Sequence, residues 1–119
     1  MATLAPVVVP AAGLTSAMGP TAAGGDEFAV SSGDTLIYFN GHTVAITVTL
    51  VAVALTANVI GAFPVAITNR AFAIPPGETL RIPVSGETLN AYVNATTRRV
   101  AVTYAAHNAA LKVDLLRRG

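Results

Sequence analysis

After residue 25, apolar and polar positions alternate with a period of two over most of the chain, the spacing of strands half-buried in a sheet. Thr35-Leu-Ile-Tyr-Phe-Asn40 is rich in β-formers and runs into Asn40-Gly41, a turn signal. Val44, Ile46, Val48 and Leu50 then fall on one face, with Thr47 and Thr49 on the other. Beyond Leu50 both faces are apolar through Leu55, so this portion is expected to be covered twice or to touch a partner. A further strand is expected over 66–74, stopped by Pro75-Pro76-Gly77. Leu80, Ile82 and Val84 alternate with Thr79, Arg81 and Pro83, and the proline sends this strand to an edge or next to a bulge. Val100, Val102 and Tyr104 alternate with Arg99, Ala101 and Thr103; Leu111, Val113 and Leu115 alternate with Lys112 and Asp114. The sum is an all-β chain of about seven or eight short strands, at the spacing of a sandwich or barrel. The Ala-rich stretch 50–57 has some helical propensity, but its β-branched residues and its continuity with a strand oppose a helix.

Residues 1–25 do not share this alternation. They are built from Ala, Pro, Gly, Thr and Val, with prolines at 6, 10 and 20 and glycines at 13, 19, 24 and 25. Proline removes backbone donors and glycine adds freedom, so an independent helix or a central strand is disfavoured. The expected organisation is an extended arm over 1–25 and one sandwich domain over 26–119. Val7, Val8 and Val9 give the arm a sticky centre, and Leu14 and Met18 add to it. Docked on its own domain it would cover a sheet edge; the reading preferred from sequence lays it along a neighbouring subunit or the capsid.

Composition sharpens this picture. Only 11% of the 119 residues are charged, against roughly 25% in an ordinary soluble domain, and Thr, Asn and Ser carry the polar surface. Charged groups are depleted at the centres of protein interfaces, so such a surface suits a protein that meets other chains. The 23 alanines mean that the 53% apolar fraction overstates the core. A net charge of +1 gives no electrostatic case for nucleic acid or a membrane surface. Residues 35–69 hold no Asp, Glu, Lys or Arg, but Thr43, Thr47, Thr49, Thr56 and Asn58 interrupt the apolar run and Gly61 and Pro64 break it. Strands are expected there, not a membrane span. Residues 1–34 hold no Lys or Arg, which a secretory leader would need.

Candidate chemistry is thin. There is no cysteine, which removes disulfides and thiolate sites. His42 and His107 are not in a metal-binding spacing and read as solvated loop residues. Asp26, Glu27, Asp34, Glu78, Glu87 and Asp114 lie mostly at predicted turns or strand starts and form no calcium loop. Ser16, Ser31, Ser32 and Ser85 lack a nucleophile elbow. Arg98-Arg99 and Arg117-Arg118 lack interleaved aromatics, so carboxylate pairing with a neighbouring subunit is expected of them before nucleic acid. No catalytic, cofactor or metal residue is assigned.

Gly33-Asp-Thr-Leu-Ile-Tyr-Phe-Asn-Gly41, Ala45-Ile-Thr-Val-Thr49, Ala73-Ile-Pro-Pro-Gly-Glu-Thr79 and Arg99-Val-Ala-Val-Thr-Tyr104, in that order, resemble the small head proteins of tailed bacteriophages. The resemblance spans about residues 26–116. It departs at 50–60, apolar where those proteins commonly place a polar loop, and at Arg81-Ile-Pro-Val84, where they tend to have a Gly-Pro step. It implies a β-sandwich of jelly-roll type and a decoration or minor capsid role without enzymatic activity. The expected partners are the major capsid protein and copies of this chain, possible trimers included, on the outer surface of a head made in the host cytoplasm. The candidate capsid or subunit contacts are Val7, Val8, Val9, Leu14, Met18, Arg117 and Arg118. Two other functions stand beside this one: a surface-displayed carbohydrate-binding or adhesive sandwich, for which Tyr92 is the test residue, and a head-to-tail joining or tail component.

Overall fold

A computed structural model of the chain describes residues 2–10, 18–31, 33–53, 56–59, 63–66, 68–84, 92–94 and 96–118. Its strands are β1 (Ala2–Leu4), β2 (Pro6–Val9), β3 (Gly19–Pro20), β4 (Asp26–Ala29), β5 (Thr35–Asn40), β6 (Ile46–Leu50), β7 (Thr56–Val59), β8 (Phe63–Ala66), β9 (Arg70–Ile74), β10 (Thr79–Pro83), β11 (Arg99–Ala105) and β12 (Leu111–Arg118). One sheet has the order β1-β4-β11-β6-β9, and the other β10-β5-β12-β2 with β3 also on β12. β7 and β8 pair only with each other. Both large sheets are mixed: β1 runs parallel to β4 and β2 parallel to β12, while the remaining pairs are antiparallel.

The period of two decides which residues meet between the sheets. Phe28, Ile46, Val48, Leu50, Ile74, Val100 and Val102 from the first sheet pack in one cluster with Leu36, Tyr38, Ile82, Leu111, Val113 and Leu115 from the second. Fully burying side chains of this size contributes about 1.5–3 kcal/mol each before chain entropy is counted. The all-β sandwich expected from the alternation is the observed fold. Seven strands, β4–β6 and β9–β12, form its body; the arm and the β7–β8 hairpin raise the number above that expected.

Several expectations are corrected. Val44 is 54% exposed, because the bend over 42–44 delays β6 until Ile46. The strand expected over 66–74 is divided: β8 ends at Ala66 and β9 begins at Arg70, with Thr68 and Asn69 exposed between them. Asn69 turns its side chain to the segment after β6, its Oδ1 accepting from the Ala52 N–H at 2.8 Å. The doubly apolar stretch ends as a strand at Leu50, and Val53 is 47% exposed; residues 54 and 55 lie outside the described residues. Pro83 behaves as expected, since β10 is an edge strand and Pro83 is its last paired residue.

Turns carry their own chemistry. Pro75-Pro76-Gly77 reverses the chain between β9 and β10, and Gly77 takes φ 75°, open to glycine without a Cβ penalty. Ala106 holds φ 60° in the turn between β11 and β12, where an L-residue with a Cβ is strained. Ala106→Gly is therefore expected to stabilise the protein by about 0.5–1 kcal/mol, read as a higher urea midpoint at unchanged slope. A lower midpoint would show that the turn is not strained.

The arm is laid along both sheets of its own chain. β1 extends the first sheet beside β4, and β2 and β3 extend the second beside β12. The two arm strands on β12 take different parts of it: β3 pairs with Lys112 and Val113, and β2 pairs from Leu115 onward. Asp114 lies at the seam. The expected placement on a neighbouring subunit is thus replaced, for 2–10 and 18–20, by the edge cover that the chain supplies to itself. Free ladder groups on β4 and β12 were the local partners that an uncharged, strand-forming segment could reach first.

Candidate functional site

The inward-facing polar residues sit where the arm enters the sandwich. On β4, Asp26 and Phe28 point into the core, and Asp26 is fully buried. Its Oδ2 accepts from the Tyr104 hydroxyl at 2.5 Å and from the Ala22 N–H at 3.1 Å. The Tyr104 hydroxyl lies 2.9 Å from that of Tyr38, with the rings edge-on at 5.7 Å between centroids. Because Tyr104 donates to the carboxylate, Tyr38 donates to Tyr104. Asp26, Tyr104 and Tyr38 thus form a chain of hydrogen bonds crossing from the first sheet to the second. Burial, above all, pushes the phenols of Tyr38 and Tyr104 well above the ordinary tyrosine value, and the Asp26 carboxylate pushes both further.

A second contact fixes the arm beside this chain. Thr21 donates its hydroxyl to the Leu111 carbonyl at 2.8 Å and lies 2.7 Å from His107 Nε2. With its single proton committed, Thr21 can only accept from His107, so Nε2 carries the hydrogen. His107 also packs against Tyr104, 5.5 Å between ring centroids. It is half-buried and holds the arm, rather than standing solvated in a loop. Asp26 is likewise no solvated strand start: alternation places it on the inner face, and its neighbours supply the donors. The signal available in sequence was its two-residue spacing from Phe28.

Two arginines pair with carboxylates of the same chain. Arg117 meets buried Asp34 through two bonds, Nε to Oδ1 at 3.0 Å and Nη2 to Oδ2 at 2.9 Å. Arg99 meets Glu27 at 3.0 Å on the outer face of the first sheet. For Arg99 and Arg117, the carboxylate contacts expected with a neighbouring subunit are made with Glu27 and Asp34 of the same chain. Of the other candidate contacts, Val8 is 52% exposed, whereas Val7, Val9 and Met18 are half-buried. Leu14 and the Arg118 side chain lie outside the described residues. Tyr92 is buried, its hydroxyl donating to the Thr68 carbonyl at 3.2 Å, so its ring is not a sugar-stacking platform.

The two sheets differ on their outer faces. The first carries Thr47, Thr49, Thr103, Glu27 and Arg99. On the second, Ile37 and Phe39 alternate with buried Leu36 and Tyr38, and Leu116 alternates with buried Leu115. Val7 pairs with Leu116 and Val9 follows on the same side. That face is mixed: Thr79 and Lys112 flank Phe39, and Arg81 and Asp114 flank Ile37, so apolar and charged side chains stand side by side on it.

Compared with protein-family models, curated proteins and solved structures, the chain matches none. Among the described residues, no group of three or more His, Cys, Asp or Glu is placed to hold a metal ion, and no helix is long and apolar enough to cross a membrane.

Proposed function

We propose that this chain is a structural protein of a phage head: a jelly-roll-like sandwich that binds the outside of the capsid in many copies and reinforces it. The observation that carries the reading is the outer face of the second sheet. Ile37, Phe39, Leu116, Val7 and Val9 turn apolar groups away from the core beside Arg81, Lys112 and Asp114, on a chain poor in charge. That combination suits burial against another protein, where aromatic and aliphatic groups are favoured and charges are depleted. The resemblance of the motif order to that of small phage head proteins supports the same setting.

Mechanically, a shell under internal pressure is held by contacts that bridge neighbouring subunits. Specific contacts need on the order of 1,000 Å², and repetition over the shell multiplies a modest individual gain. The arm contributes by pairing with β12 and by presenting Val7 and Val9 on that face.

The test is add-back to heads assembled without this protein. Bound copies per head and the temperature of head disruption are both measured. Saturable occupancy with a raised disruption temperature is expected, and Phe39→Asp with Leu116→Asp should abolish occupancy while the isolated protein stays folded. Heads that take up no protein, or are equally stable with it, overturn the reading. A stoichiometry of a single ring per head would instead indicate a head-to-tail joining component.

A further inference from the structure

Strand pairing sets out the outer face of the second sheet in rows. Arg81, Ile37 and Asp114 stand side by side on β10, β5 and β12. Thr79, Phe39 and Lys112 form the row on one side of them, and Pro83, Thr35 and Leu116 the row on the other. Arg81 is exposed, Ile37 and Asp114 are half-buried, and Phe39 is 36% exposed. Among the described residues, neither Arg81 nor Asp114 has an ion-pair partner. Asp114 holds only the Gly19 N–H, on Oδ1 at 3.3 Å. The central row thus runs cation, aliphatic, anion, with neither charge matched on its own chain.

We infer that this face pairs with the same face of a second copy, about a two-fold axis running along β5. In a two-fold interface one patch meets itself reversed. Sheets stacked face to face keep their strands within about 30° of one another, so the axis lies along the strands or across them. Along β5, each residue of that strand faces its own counterpart, and β10 of one copy faces β12 of the other. Arg81 then meets Asp114 of the second copy twice, on either side of a centre made by two Ile37 and two Phe39 side chains. Pro83 meets Leu116 in the same way, and Lys112 meets the neutral Thr79. An axis across the strands through Ile37 would set Arg81 against Arg81 and Asp114 against Asp114, and like charges in contact are penalised. The charge pattern therefore selects the axis.

Four strands about 4.8 Å apart and about five residues of about 3.4 Å give a face of roughly 19 by 17 Å, small beside the roughly 800 Å² per partner of a standard interface. Pairing is accordingly concentration-dependent. The inference does not rest on the capsid reading, because it concerns the free protein. A capsid subunit would compete with the second copy for the face.

The experiment is sedimentation equilibrium of the full chain from about 1 μM to about 1 mM, together with Arg81→Asp, Asp114→Arg and an equimolar mixture of those two variants. The unsubstituted chain is expected to dimerise reversibly, and less tightly in high salt. Either substitution alone brings like charges together twice per dimer and should raise the dissociation constant about tenfold or more. In the mixture every introduced charge faces its opposite, so dimers of one variant with the other should form about as tightly as the unsubstituted dimer. Asp114→Asn keeps an acceptor for the Gly19 N–H and should also weaken pairing, which covers any loosening of the arm by Asp114→Arg. The inference is overturned if the unsubstituted chain stays monomeric at about 1 mM, or if its assembly is a ring of three or more. It is equally overturned if the folded single variants pair unchanged, or if their mixture stays monomeric. A monomeric free chain that still occupies heads would remove this inference and leave the capsid reading standing; dimers that never occupy heads would do the reverse.

Discussion

Above pH 10 the protein should lose stability steeply, by about 1.4 kcal/mol per pH unit for each tyrosine that stays protonated only in the folded state. Tyr38 and Tyr104 are those tyrosines, their phenols held neutral chiefly by burial. A folded-state pKa above the unfolded value means that the native chain binds more protons than the unfolded one in that range. The contribution is therefore complete below the unfolded value of 10.0 and is lost as the pH climbs past it. Two such groups give a fall of roughly 2–3 kcal/mol between pH 10 and 11, a large share of the 5–15 kcal/mol of a typical domain. Urea unfolding at a series of pH values reads this directly. Tyr104→Phe should halve the slope, while costing stability at neutral pH because Tyr38 and Asp26 lose their shared partner. A stability flat to pH 11 would show that neither phenol is shielded as described.

Replacing Asn40 by alanine should be the most damaging single polar substitution, at about 2–6 kcal/mol. Asn40 is fully buried at the end of β5. Its Nδ2 donates to the Val44 and Ile74 carbonyls at 3.0 and 2.8 Å, and its Oδ1 accepts from the His42 N–H at 2.9 Å. Truncation leaves the buried Ile74 carbonyl without its donor, at about 1–3 kcal/mol, and removes two part-buried bonds at about 0.5–1.5 kcal/mol each. It also frees the bend over 42–44 that hands the chain from one sheet to the other. Thermal melting and far-ultraviolet dichroism of Asn40→Ala measure the effect. A loss under about 1 kcal/mol would mean that water replaces the amide at all three groups.

Alternation made the body of the sandwich legible, because a period of two leaves no choice about which face of β5, β6, β11 and β12 is buried. It failed where a backbone bond outranked the pattern. Val44 continues the apolar register of β6, yet the Asn40 side chain holds its carbonyl in the bend and the valine is turned outward. The polar site was illegible for a different reason. Asp26, Thr21, Tyr38, Tyr104 and His107 come together through pairings across two sheets, and no local spacing encodes that meeting. The arm shows the same limit. Its composition announced an extended, uncharged segment, but its partners, β4 and β12, are distant strands of the fold.

The bend at the end of β5 also governs how the protein ages. An Asn-Gly step is prone to lose ammonia: the glycine nitrogen attacks the asparagine side-chain carbonyl, a succinimide closes, and water reopens it to aspartate or isoaspartate. Folding withholds every participant. The Gly41 N–H is committed to the Ala110 carbonyl at 3.1 Å, and both hydrogens of the Asn40 amide are committed to Val44 and Ile74. Deamidation at residue 40 therefore proceeds from unfolded molecules, and its product has no amide hydrogens to give back to those carbonyls. Each excursion from the native state carries a chance of becoming permanent, so isoaspartate at this position accumulates as a chemical record of how often the chain has unfolded.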